Sequence, residues 1–506
     1  MKQNLLAFFL ASIAVLNAAG RPNFIVINID DLGYADIGAF GSTLNRTPNI
    51  DRMAAEGMKL KCHYAAPVCS PSRSALMTGC YPKRVLPIPG VLFPGAAVGL
   101  NPQEETVAEV LKGEGYATQI VGKWHLGDQP EFLPTAQGFD HYLGIPYSND
   151  MGTAAEGSKS SLGDPLPKRQ PAEEAKGKVA ETGLTGNNQP PLPLVRDGKV
   201  IERVTAEGQQ TITQRYTEEA VKFIRASKDR SFFLYLPHNA VHFPHYPGRA
   251  FHTKSKNSVY GDWIEEVDWS VGQVLDTVRQ LKLDTNTLVI FTSDNGGTPR
   301  AVNTPLHGFK GSTWEGGMRV PTIAWWPGKI AAGAATDEIT SMMDVLPTFA
   351  ALAGAKLPEK KIDGGNLWPL LSSKGDAKGP HEVFYFYRGL KLEAVRSGPW
   401  KLQIAGDTPQ KQSAANKKKG KADVEKPQPK TEAYPRLYNL IDDIGESKNI
   451  ASAHADEVKR LQALVDKMKD DLGLDGIGPG CRQLGRAVNP EPLIHVDGTI
   501  REGFKP

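Results

Sequence analysis

Four short apolar runs, each ending in ionisable residues, constrain the fold of this chain more than any other feature. Phe24-Ile25-Val26-Ile27-Asn28-Ile29 runs into Asp30-Asp31, and Ala117–Val121 into Gly122-Lys123-Trp124-His125. Phe232–Leu236 runs into Pro237-His238 with His242 beyond, and Leu288–Thr292 into Ser293-Asp294-Asn295-Gly296. Runs that stay apolar at consecutive positions suit strands buried on both faces, as a parallel sheet between helix layers demands. Helical patterns at Thr106–Glu114, Thr217–Ser227 and Asp262–Leu281 separate the runs. The alternation predicts an α/β fold with a large doubly wound sheet, mixed or mostly parallel. Such sheets bind ligands beyond the carboxyl ends of their strands. The ionisable residues fall there each time.

At 506 residues the chain is too long for one small core, and two domains are expected. Residues 21–379 carry the strand–helix alternation. From residue 380 the pattern changes to short strands at Glu382–Tyr387, Leu392–Arg396, Trp400–Ile404 and Arg436–Asn439, followed by an amphipathic run at Glu457–Leu472. A smaller α+β domain with an antiparallel sheet, residues 380–506, follows from this. Residues 157–193, rich in Gly, Pro, Lys and Glu, read as a surface insertion that leads to a hairpin at Asp197-Gly198. Residues 406–431, with Lys417-Lys418-Lys419, read as a solvated loop.

Residues 1–20 have a basic start, an apolar stretch from Leu5 to Leu16 and a small-residue end, the pattern of an export signal. The stretch is short for a bilayer span, and no later segment suits one, so the expected location is periplasmic or secreted, or lysosomal in a eukaryotic source. Asn45-Arg46-Thr47 is a single glycosylation sequon. A formal net charge of +3 gives no reason to expect a nucleic-acid partner. The four cysteines, Cys62, Cys69, Cys80 and Cys481, are too few for a disulfide framework. Cys62 and Cys80 either pair or stand as two reduced thiols.

Asp30, Asp31, Asp294 and Asn295 offer only oxygen ligands, a set that selects Ca²⁺, with Mg²⁺ the near alternative. Adjacent carboxylates at one strand end repel each other unless a cation balances them. In Cys69-Ser70-Pro71-Ser72-Arg73-Ser74-Ala75-Leu76-Met77-Thr78-Gly79, Pro71 and Ser72 suit the start of a helix and Gly79 its end. Cys69 would then lie where free N–H groups and the helix dipole attract an anion, with the guanidinium of Arg73 one turn on.

This stretch resembles the sulfatase signature, Cys-x-Pro-Ser-Arg followed by small residues and Thr-Gly. Gly122-Lys123-Trp124-His125-Leu126-Gly127 and Gly308-Phe309-Lys310-Gly311-Ser312-Thr313-Trp314-Glu315-Gly316-Gly317 are similar to further blocks of that family. The resemblance spans nearly the whole chain after residue 20 and is nearest to arylsulfatase A-like members. It implies an alkaline-phosphatase-like fold, a catalytic domain at 21–379, and hydrolysis of sulfate esters. It also implies oxidation of Cys69 to formylglycine (3-oxoalanine) by a maturation enzyme, the aldehyde hydrate serving as nucleophile. Further implications are metal ligation by Asp30, Asp31, Asp294, Asn295 and modified Cys69, and catalytic roles for Arg73, Lys123, His125, His242 and Lys310. Lys123, Ser148, His242 and Lys310 would bind the sulfate ester; His242 matches the family's histidine better than its neighbour His238. The substrate class stays open among sulfated glycans, lipids and small aryl sulfates. The alternatives are a phosphate or phosphonate ester hydrolase of the same superfamily and an inactive sulfated-glycan binder.

Overall fold

The structure, a computed structural model, describes residues 20–168, 181–373, 377–406 and 433–506. Residues 1–19 of the expected export signal, the Lys417–Lys419 run and parts of both insertions lie outside these residues. Ten strands form the path of the main sheet: β1 Asn23–Ile29, β2 Met58–Tyr64, β3 Ala117–Val121, β4 His141–Gly144, β5 Leu192–Arg196, β6 Lys199–Val204, β7 Phe232–Pro237, β8 Thr287–Ser293, β9 Arg319–Trp325 and β10 Ala334–Thr336. They lie in the order β10-β2-β9-β8-β1-β7-β3-β4-β5-β6, and a two-residue strand, Thr340–Ser341, pairs with β2 as the eleventh. The centre, β8-β1-β7-β3-β4, is parallel throughout. Antiparallel pairs flank it: β9 with β8 and β2 on one side, β4 with β5 and β5 with β6 on the other.

β1 shows why the sheet is sandwiched. Phe24 and Val26 belong to one hydrophobic core, whereas Ile25, Ile27 and Ile29 belong to a second. Successive side chains point to opposite faces, so an uninterrupted apolar strand needs cover on both. The first core holds α2 (Cys69–Thr78), α3 (Val107–Gly113) and α6 (Val345–Ala353), with Phe349 stacked on Phe24 at 4.2 Å. The second holds α1 (Pro48–Glu56), α4 (Ala206–Ala226) and α5 (Ser258–Gln280). Helix α4 starts at Ala206, earlier than its sequence pattern suggested, because Ile212 and Tyr216 extend the buried stripe of Ala220, Phe223 and Ile224.

A separate antiparallel sheet comprises β11 Val383–Arg388, β12 Lys391–Ser397, β13 Trp400–Gln403 and β14 Arg436–Asn439. Helix α7 (Ala455–Lys467) adds Leu461 and Val465 to the first core and stops short of the expected Leu472. The expected hairpin forms, with Arg196 opposite Lys199 across Asp197-Gly198. Part of the insertion before it is fixed rather than free: Phe93 N–H donates to Thr182 and Ala97 N–H to Glu181. All four cysteines are free thiols. Asn45 of the sequon is buried, its amide donating to the Asp36 carbonyl, so it offers no free attachment point. No helix among the described residues is long and apolar enough to cross a membrane.

Candidate active site

The ends of β8, β1, β7 and β3 and the start of α2 bring their polar residues to one place. α2 opens at Cys69 after extended Val68 and closes at Gly79, whose φ of 69° lets its N–H donate back to Ala75. Cys69 Sγ lies 3.4 Å from Asp30 Oδ1 and 3.6 Å from Lys310 Nζ. Arg73, one turn into the helix, puts Nε and Nη2 on Asp294 Oδ2 at 3.0 and 2.7 Å and Nη1 on the Lys123 carbonyl. Lys123 pairs with Asp30 and donates to Ser148 Oγ at 3.3 Å. Ser148 Oγ is 3.2 Å from His242 Nδ1, whose ring reaches within 3.7 Å of Asp31 through Nε2. Lys310 Nζ sits 2.6 Å from Asp31 Oδ1. Asn295 also donates to that oxygen, at 2.7 Å.

His125 stands at the end of β3 with a φ of 68°, and Asp31 at the end of β1 with 63°. Left-handed backbone outside glycine costs on the order of 1 kcal/mol or more, so both are held by their surroundings. His125 Nε2 lies 2.9 Å from the Leu92 carbonyl. A carbonyl only accepts, so Nε2 carries the hydrogen and Nδ1 presents its lone pair. That Nδ1 is buried with no partner. Burial, with Lys123 and Arg73 beside it, holds His125 far below the ordinary histidine range, hence neutral.

His238 is absent from the cluster. It is fully buried, 3.1 Å from Ser270 on α5, and burial lowers its pKa to about 3. The other expected residues lie in or against the cluster. The leucine carbonyl that fixes the tautomer of His125 had no sequence signal, because any residue carries that group. Nor did the sequence point to Phe243 and Phe309, half-exposed rings beside His242 and Lys310. These two polar residues are partly open to solvent, at 12% and 19% of their side chains.

Three carboxylates, Asp30, Asp31 and Asp294, face three cations, Arg73, Lys123 and Lys310. Burial pushes Asp30 up, but Lys123, His242, Arg73 and Lys310 together hold it well below the usual carboxylate range. Burial, with Asp294 and Asp30 nearby, pushes the Cys69 thiol up, so the unmodified side chain stays a thiol. Three basic side chains thus oppose the three carboxylates, although burial and the neighbouring Asp30 still lift Asp294 above its ordinary value. What points to a metal is the donor set. Asp30, Asp31, Cys69 and His242 offer ligand atoms within 4.8 Å of one another, a possible acidic metal site. Asn295 Oδ1 beside them is buried and unpartnered.

Residues 22–355 match the sulfatase family model, and residues 379–479 match the model for the C-terminal region of aryl-sulfatase. Arylsulfatase A of Homo sapiens is 38% identical over 507 residues, covering 96% of this chain and 94% of its own. Steryl-sulfatase of Mus musculus is 39% identical over 441 residues, covering 75% of this chain and 70% of its own. Among solved structures, the PsFucS1 sulfatase of Pseudoalteromonas sp. superimposes with a TM-score of 0.75 at 27% identity, covering 94% of this chain and 96% of its own. With arylsulfatase and steryl-sulfatase relatives over most of its length, the chain belongs to the sulfatase family, hydrolases of sulfuric esters.

Proposed function

We propose that the mature protein carries formylglycine at position 69 and hydrolyses sulfate esters through its hydrate, with a sulfated carbohydrate or lipid as natural substrate. The observation that carries this reading is the placement of Cys69 at a helix N-terminus, between Asp30 and Lys310 and beside the guanidinium of Arg73. One hydroxyl of the hydrate releases its proton to solvent and attacks sulfur, and the bond from sulfur to the departing oxygen breaks. His242, partly open to solvent and held at Ser148, gives its proton to that oxygen. Lys123, Lys310 and Ser148 hold the sulfate oxygens and stabilise the charge that grows on them. The remaining hydroxyl then loses its proton to Nδ1 of His125, the carbon–oxygen bond to sulfate breaks, and the aldehyde returns to be rehydrated by water. Burial keeps His125 neutral until then, and the anionic adduct beside it raises its basicity in turn.

Asp30, Asp31, Asp294 and Asn295, with an oxygen of modified residue 69, would hold one Ca²⁺. The ion supplies Lewis-acid polarisation of sulfate and of the hydrate. We further assign residues 1–20 as an export signal, residues 21–379 as the catalytic domain and residues 380–506 as the C-terminal domain, with export to the periplasm, medium or lysosome.

The test is aldehyde-specific labelling of residue 69 with peptide mass spectrometry, alongside turnover of p-nitrophenyl sulfate and p-nitrophenyl phosphate. Labelling, with sulfate turnover well above phosphate turnover, is the expected result. An unlabelled yet active protein would refute the mechanism. Elemental analysis should find about one calcium per active chain; stoichiometric zinc would refute the metal assignment.

A further inference from the structure

A cleft of about 840 Å³ opens beside Lys310, between the loop of residues 299–314 and Arg388 at the end of β11. That volume lies high in the range of about 300–1,000 Å³ for small-molecule sites, and a single aryl sulfate would leave most of it empty. Its walls are chemically one-sided. Among the described residues no Asp or Glu lines it, whereas Lys310 and Arg388 do. The neighbouring sulfate pocket, in contrast, is lined by three carboxylates.

Arg388 is a pre-set cation. Its Nε and Nη2 both donate to Glu393 Oε1, at 2.8 and 2.6 Å, and Glu393 is buried behind it with 1% of its side chain exposed. About a quarter of the Arg388 side chain (26%) stays accessible. Glu393 is itself held, accepting a bond from Thr313 Oγ1 at 2.8 Å. Arg300 is exposed between the lining residues Pro299 and Ala301 and has no carboxylate partner among the described residues. The aromatic surface comes from Phe309, 45% exposed, and from Trp314, which His307 meets edge-on at 4.4 Å. An aromatic face with fixed cations, and no carboxylate among its described lining residues, suits a sugar ring that bears a negative charge.

We propose that this cleft is a second anion-recognising subsite, which takes a neighbouring sugar of a glycan substrate through a further carboxylate or sulfate, with Arg388 and Arg300 as its cations. The proposal rests on the reading of the adjacent core as the sulfate-ester pocket. It narrows the substrate class to glycans with more than one anionic group, in preference to neutral sterol or simple aryl esters.

The test compares a disaccharide carrying one sulfate ester and one uronate carboxylate with its carboxyl-reduced counterpart. In the matured, metal-loaded wild type, kcat/KM for the uronate form should exceed that for the reduced form by about tenfold or more, the worth of one charge-assisted hydrogen bond. The ratio should fall towards one in Arg388→Gln and in Arg300→Gln, the latter at an exposed position that tolerates substitution. A ratio near one in the wild type, or a ratio unchanged in both variants, would overturn the proposal. The same pair titrated calorimetrically into Cys69→Ala separates binding from turnover. Loss of the affinity ratio there would also overturn the subsite. A retained ratio with no turnover of either disaccharide by the wild type would instead overturn the hydrolytic reading and leave the subsite standing.

Discussion

At the scale of single residues, the proposed mechanism divides the chemistry between two histidines that are held differently. His125 is locked as the Nε2–H tautomer by Leu92, whereas His242 sits at the solvent edge beside Ser148. Replacing His242 with Ala should therefore slow an alkyl or sugar sulfate far more than p-nitrophenyl sulfate, whose leaving group needs no proton; general acids contribute about 10²–10⁴-fold. His238→Ala should show no such selectivity, because its ring is turned to Ser270 away from the cluster. Steady-state kinetics on the two esters decide this, and selective loss in His238→Ala would reverse the assignment. Cys69→Ala should abolish turnover with the fold retained. In Cys69→Ser a sulfated serine should accumulate, visible by intact mass, because an ordinary alcohol has no second hydroxyl with which to expel sulfate.

Between elements, the position of Lys310 depends on the second sheet. Lys401 on β13 donates to the Thr313 carbonyl at 2.9 Å and to Glu315 at 3.0 Å, and pairs with Glu446 at 2.8 Å. Glu446 in turn accepts from the Glu315 N–H at 2.8 Å. Lys401 is 1% exposed and both carboxylates are fully buried; Glu315 keeps Tyr64, Arg319 and Arg396, so removing the ammonium strands Glu446. Breaking a buried pair from one side costs about 3–5 kcal/mol. Lys401→Met should lower stability on that scale in urea unfolding and reduce kcat as the loop carrying Lys310 shifts. Adding Glu446→Gln should recover part of the loss, since burial already lifts that acid to about 7 even beside Lys401. Strictly additive losses in the double variant would show that the two residues are not coupled.

For the whole molecule, the buried histidines link stability to pH. Burial lowers His238 to about 3 and His63 to about 4, from an ordinary value of 6.5. Above 6.5 both are neutral in either state and contribute nothing to the pH dependence. As pH falls from 6.5 towards 4, the unfolded chain takes up protons that the folded one refuses, and stability is lost. Glu266 works the other way: burial lifts it to about 8, so the folded protein binds its proton between 4.5 and 8 while the unfolded chain has released it. His238→Gln should therefore remove about 2–3 kcal/mol of the loss between pH 6.5 and 4, read as a shallower slope of urea midpoint against pH. An unchanged slope would contradict the assignment of that histidine as buried and neutral.

The order of apolar runs, helices and punctuating residues was enough to give the doubly wound sheet, the separate antiparallel sheet and most of the cluster. Strand burial is written in consecutive apolar residues, and the functional groups follow directly at the strand ends. Chain order alone placed Asp30, Lys123, His242 and Asp294 beyond one edge of one sheet, because parallel neighbours point their carboxyl ends the same way. What only the tertiary structure decided depends on partners remote in sequence. The tautomer of His125 is set by the Leu92 carbonyl, and His238 is excluded by Ser270. The three carboxylates are opposed by Arg73, Lys123 and Lys310, from three separate segments. The sequon asparagine is buried against Asp36. Pattern and propensity report local periodicity, whereas these outcomes turn on single contacts of a few ångströms between segments up to hundreds of residues apart, which periodicity does not encode.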